Sequence, residues 1–92
     1  MKIEYDEKKN QTNYSKHGIE FSAVSDLNWD SVISKKDSSK EYGEKRIVSY
    51  GFLNERLYVL VWTARDGSVR PISFRKANGR ERKEYEEKTR IY

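Results

Sequence analysis

The chain has no cysteine, a single proline, a single histidine and only five glycines in 92 residues. The missing cysteines exclude a disulfide scaffold, a thiolate nucleophile and a sulfur-ligated metal site. There is no glycine-rich phosphate loop of the Walker or Rossmann kind. No apolar run approaches the roughly 18 residues of a membrane-spanning helix, and the first residues lack an apolar signal-peptide core. The expectation is a cytoplasmic protein with no membrane partner. A metal site would have to be all carboxylate, and no Asp/Glu group has convincing spacing; Glu81, Glu84, Glu86 and Glu87 read as a solvated helix face. Neither metal nor cofactor is therefore expected. His17 could join a serine and an aspartate in a triad, but no nucleophile-elbow sequence surrounds any serine.

What the chain has in abundance is charge. Charged residues make up 37% and hydrophobic residues 35%, which is polar for a globular protein. Two features oppose disorder: the apolar residues gather in strand-like runs, and 13% of the chain is aromatic, with a large area to bury per side chain. One domain spanning residues 1–92 is expected. Its core is modest, because a chain this short buries only a little over ~60% of its unfolded surface. The net charge of +4 permits a polyanionic partner without demanding one. Tyr42, Tyr50, Tyr58, Tyr85 and Tyr92 interleave with Lys and Arg. Aromatic faces can stack on bases while cations hold phosphates; the plainer reading is half-buried amphipathic side chains.

Met1 to Tyr5 alternates as a short edge strand would. Asp6 reads as the N-cap of a helix over Glu7 to His17, which Gly18 ends. Phe21, Val24 and Leu27, with Trp29 after them, predict a second short helix. Val32-Ile33 reads as a fragment of strand, and Ser34 to Glu44 as the one long loop. Three strands follow: Arg46 to Leu53, Arg56 to Arg65 and Val69 to Arg75, turned by Asn54-Glu55 and Asp66-Gly67. Apolar residues on both faces make the second of these a central strand. Pro71 puts the third at an edge or on a bulge. Ala77 to Tyr92 reads as a closing helix with Arg80–Glu84 and Glu84–Lys88 pairs, its first turn weakened by Asn78-Gly79, so that it could begin at Arg80. The order is β-α-α-β-β-β-α: an α+β fold with a small antiparallel sheet, two N-terminal helices and a C-terminal helix.

Few residues can carry chemistry. His17 can move a proton at neutral pH, with Lys16 beside it; its plainer role is a cation at a helix C-terminus. Arg46, Arg65, Arg70 and Arg75 lie on or beside the central strands. Arginine binds phosphate through a planar fork and keeps its charge, so several could converge on one phosphate. The alternative is ordinary ion pairing with Glu41, Glu44 or Glu55. Ser73 and Thr63 could donate to the same phosphate or simply favour strand. The chemistry left open is cation-assisted RNA cleavage, in which the 2′-hydroxyl attacks the adjacent phosphorus and Arg or Lys stabilises the pentavalent charge.

These motifs, in order, resemble the BrnT family of toxins. Asn13-x-x-Lys16-His17-Gly18-Ile19-x-Phe21 is similar to the family's N-x-x-K-H-G-[IV]-x-F signature. Gly43-Glu44-x-Arg46, Val61-x-Thr63-x-Arg65, Arg70-x-Ile72-Ser73-x-Arg75-x-Ala77 and Glu81-Arg82-x-x-Tyr85 follow in the family's order. The family's early aromatic-Asp-x-x-Lys pattern is met loosely by Tyr5-Asp6, with Lys at both 8 and 9, and Lys35 to Glu41 has no clear counterpart.

The resemblance implies a RelE-like ribonuclease fold and a toxin that cleaves RNA and lowers translation. It implies a ribbon-helix-helix (BrnA-like) antitoxin, a 2:2 hetero-complex, and contact with operator DNA only through that antitoxin. Carried onto this chain, Lys16, His17, Arg65 and Arg75 are the candidate catalytic residues. Arg46, Arg70, Ser73, Tyr85 and Glu44 are candidate RNA contacts. The competing reading is a non-catalytic antitoxin-binding partner that acts in operon autoregulation; a third is a free-standing RNA-binding module.

Overall fold

Asp6 begins the first helix as its sequence position suggests. In the computed structural model, which describes residues 1–37 and 43–90, its carboxylate accepts the Lys8 N–H at 2.8 Å and α1 runs from Glu7 to His17. Gly18 closes the helix at φ 72°, a left-handed conformation that suits glycine, and its N–H bonds the Tyr14 carbonyl. The expected second helix is two short 3₁₀ turns instead, Phe21–Asp26 and Trp29–Ser31. The spacing explains the difference: Phe21, Val24 and Leu27 stand at strict intervals of three, the period of a 3₁₀ turn rather than 3.6.

Among the described residues the sheet has four antiparallel strands in sequential order: β1 Ile33–Lys36, β2 Ile47–Leu53, β3 Arg56–Arg65 and β4 Ser68–Lys76. Strand β1 corrects the reading of Ser34 onward as loop, because Ser34, Lys35 and Lys36 pair with Ser49, Val48 and Ile47. Its exposed lysines concealed it, yet lysine is what guards an open sheet edge. Residues 38–42 of that expected loop lie outside the described residues. The β3–β4 turn has both central residues at positive φ, Asp66 at 51° and Gly67 at 78°, as a tight hairpin requires. Strand β3 is central, as read. Strand β4 is at the edge and also bulged: Val61 pairs with Ser73 but Trp62 with Pro71, leaving Ile72 extra.

The outer edge of β4 is closed piecemeal. At one end the expected N-terminal strand shrinks to a single parallel bridge, Ile3 to Val69, with Glu4 N–H on the Val69 carbonyl and Val69 N–H on the Lys2 carbonyl. At the other end the Asn13 amide serves Phe74. Pro71, between them, has no N–H to satisfy.

Each face of the sheet carries a core. Leu60 and Phe74 pack with Phe21, Val24 and Leu27 under the 3₁₀ turns. Leu57 and Val59 pack with Ala77 and Tyr85 beneath α2, Gly79–Thr89. Burial of each large side chain contributes about 1.5–3 kcal/mol. On the Leu27 side of the sheet Gly51 permits a close approach, since a Cβ on it would lie 2.7 Å from Val32 Cγ2. Asn78-Gly79 starts α2 rather than weakening it. The Asn78 side chain accepts the Glu81 N–H while Glu81 accepts the Asn78 N–H, a complete capping box. Residues 91–92 lie outside the described residues. None of the described helices is long and apolar enough to cross a membrane.

Candidate functional site

Two buried asparagines fix the polar helix α1. Asn10 Oδ1 accepts the Phe21 N–H at 2.7 Å. Asn13 Oδ1 accepts the Phe74 N–H at 3.0 Å, while its Nδ2 donates to the carbonyls of Phe74 and Ile19 at 2.9 and 3.1 Å. These bonds moor α1 along the edge of β4. The result is an open groove of about 440 Å³, its lining including one carboxylate, Asp6, against Lys8, Lys9 and Lys16, with Thr12, His17 and Ser73. Lys16 and His17 are exposed at the end of α1, and neither forms an ion pair with a described carboxylate. The groove is thus cationic, contains the one imidazole and has hydroxyls on both walls.

Ser73 joins this groove to the sheet face. Strand alternation puts Val59, Val61, Thr63 and Arg65 on one face of β3. Their partners Arg75, Ser73, Arg70 and Ser68 therefore share that face of β4. The bulge at Ile72 makes this possible: without the extra residue, Arg70 and Arg75 would fall on opposite faces. Tyr50, Val59 and Arg75 form a row across three strands, and Lys35 Nζ sits 5.5 Å from the centre of the Tyr50 ring.

The arginines do not converge on a single point. Arg75 Nη1 and Nη2 bond the two Glu81 oxygens at 2.8 and 2.9 Å. This pairing holds the Glu81 carboxyl below its ordinary range and raises the Arg75 pKa further above its own. Arg65 is exposed at the far end of the sheet, beside the β3–β4 turn, and pairs with no described carboxylate. Arg65 lies six positions along β3 from Val59, the partner of Arg75, about 20 Å. Arg70 lies near that same far end, lining a surface hollow with Glu4, Tyr5 and Asp6. Arg46 precedes β2 there and bonds Glu44 at 3.4 Å. Tyr85 is 7% exposed, donates its hydroxyl to the Ser31 carbonyl at 2.6 Å and packs edge-on against Phe52. It belongs to the core under α2.

The structure therefore brings together Lys16, His17 and Ser73, with Arg75 two residues along the same strand face. Arg70 stands two β3 positions from Ser73 in the other direction, past the bulge, whereas Arg65, Arg46 and Glu44 lie farther along the sheet. Lys8, Lys9 and Thr12 were missed by sequence reasoning. The signal for them was their helical spacing ahead of Lys16, which places one side chain above another on a helix face.

A family model described as "Ribonuclease toxin, BrnT, of type II toxin-antitoxin system" matches residues 5–81. The chain belongs to the BrnT family. The match runs from Tyr5 to Glu81 and so includes the whole groove, the sheet and the Arg75–Glu81 pair, with Tyr85 beyond its end. No curated protein matches the chain. BrnT toxins are ribonucleases of type II toxin–antitoxin systems, and that class fits a groove rich in cations and hydroxyls. Among the described residues no three His, Asp or Glu side chains gather to hold a metal ion.

Proposed function

We propose that this chain is an endoribonuclease toxin of RelE-like fold whose centre is the groove between α1 and β4. The observation that carries this reading is the meeting of Lys16 and His17, from one motif, with Ser73, from a motif far along the chain, on one cationic surface. RNA enters over α1 and crosses Ser73 onto the sheet face. The 2′-hydroxyl oxygen attacks the adjacent phosphorus and the phosphorus–O5′ bond breaks, leaving a 2′,3′-cyclic phosphate and a 5′-hydroxyl. His17 takes the proton of the 2′-hydroxyl or supplies the proton to O5′, and water carries the other of these two protons. Lys16 and Arg75 stabilise the charge that develops on the phosphoryl oxygens, and Ser73 donates to one of them.

Arg65, Arg70 and Arg46 hold phosphates further along the strand rather than the scissile one, with Glu44 orienting Arg46. Tyr85 supports the sheet and does not touch RNA. The reaction as drawn needs no metal, so cleavage persists in a chelator. Residues 1–92 act as one domain in the cytoplasm. The partner is a ribbon-helix-helix antitoxin in a 2:2 complex that reaches operator DNA only through the antitoxin.

The test is induction of the chain in a bacterial host that lacks the partner, beside a Lys16→Ala/His17→Ala variant. Growth arrest with fragmented RNA, both lost in the variant, supports the enzyme. Unimpaired growth with intact RNA and folded protein supports the competing reading, an antitoxin-binding partner without catalysis.

A further inference from the structure

Glu81 serves two structures with one carboxylate. As the third residue of α2 it accepts the Asn78 backbone N–H at 2.9 Å and completes the capping box. The same group takes Nη1 and Nη2 of Arg75. Arg75 Nη1 also donates to the Lys76 carbonyl at 3.2 Å. A guanidinium has five N–H donors in a rigid fork. Glu81 and Lys76 use three of them, which leaves the Nε–H and one Nη2–H, a single bidentate edge. The Arg75 side chain is 36% exposed against 12% for Glu81, so the carboxylate is sheltered while the arginine still reaches solvent.

We propose that Glu81 is a positioning residue for RNA cleavage: it grips Arg75 end-on and reserves the remaining edge of the fork for a phosphate of the substrate. The inference rests on the ribonuclease reading above. A free arginine would reach the same phosphate with more net charge but in many rotamers. The clamp gives up part of that charge for one orientation, and its anchor is rigid because the capping box fixes Glu81 independently of Arg75.

Glu81→Gln separates the two roles. Glutamine at this position still supports a capping box, but it offers one neutral acceptor where two charged ones gripped the fork. Wild type, Glu81→Gln, Arg75→Ala and the double variant are compared on a fluorescently labelled single-stranded RNA oligonucleotide, with thermal melting as the control for folding. Loss of a group that orients a metal ligand typically costs about 10–100-fold, and a loss of that order is expected for a group that orients a phosphate-binding arginine. The expected result for Glu81→Gln is a fall in kcat of that size with KM little changed and melting close to wild type. The double variant should cleave no more slowly than Arg75→Ala alone, because Glu81 acts only through Arg75. Wild-type cleavage by Glu81→Gln, or losses that multiply in the double variant, would overturn the proposal. Wild-type cleavage by Arg75→Ala overturns it too while leaving the Lys16–His17 groove standing. A folded wild type that cuts no RNA contradicts the ribonuclease reading and takes this inference with it.

Discussion

The side-chain amide of Asn13 serves Phe74 as a neighbouring strand would, accepting its N–H at 3.0 Å and donating to its carbonyl at 2.9 Å. One carboxamide thereby satisfies a buried edge of the sheet and sets the position of α1, whose end carries Lys16 and His17. Removing it leaves buried backbone groups without partners, at about 1–3 kcal/mol each. Asn13→Ala should therefore lose about 2–4 kcal/mol of stability in urea unfolding, a large share of what a domain of this size has. A loss under about 0.5 kcal/mol would mean that water replaces the amide freely.

Acid should weaken the molecule through Glu81. Its pKa is lowered in the folded state, first by the Arg75 hydrogen bonds, against the opposing effect of burial. A lowered carboxylate contributes stability above the unfolded value, near 4.3, and loses it as pH falls through the folded value. Arg75, raised above its already high value, adds no pH dependence in the accessible range. Wild type should lose stability below about pH 4.3 more steeply than Glu81→Gln. Glu4, lowered beside Lys2, acts in the same direction but stands at the solvent-accessible surface; added salt screens its share. Parallel acid titrations of the two proteins would contradict this account of Glu81.

Tyr85→Phe separates packing from RNA contact. The variant loses only the hydroxyl on the Ser31 carbonyl, so stability should fall by about 1 kcal/mol. RNA cleavage should be unchanged. A marked loss of cleavage with a normal melting temperature would put Tyr85 at the substrate.

Much of the fold was legible in the sequence because local chemistry determined it. Asp6, Gly18, Asp66-Gly67 and Pro71 each signal a cap, a turn or an edge, and each does so in the structure. The misses came from tertiary context. Strand β1 is nearly all polar and gains its identity only by pairing with β2. The first strand shrank to a bridge at Ile3, whose two flanking hydrogen bonds both use Val69; the next donor along that edge would be the N–H that Pro71 lacks. Lys16 and His17 were visible as a motif, but their meeting with Ser73 was not, because it depends on Asn13 reaching Phe74. Convergence of Arg65 and Arg75 was expected from their shared sheet. Register decides otherwise, and no sequence pattern announces which arginine a glutamate will hold.

The most direct test is cleavage of a labelled single-stranded RNA by purified wild type and by the Lys16→Ala/His17→Ala variant, in chelator, with melting curves for both. Both side chains are exposed and pair with no described carboxylate, so the variant should melt with wild type while its cleavage falls by at least about 10²-fold, the range for a lost general acid or base. Cleavage at the wild-type rate by a folded variant would contradict the account and move the active site away from the groove between α1 and β4.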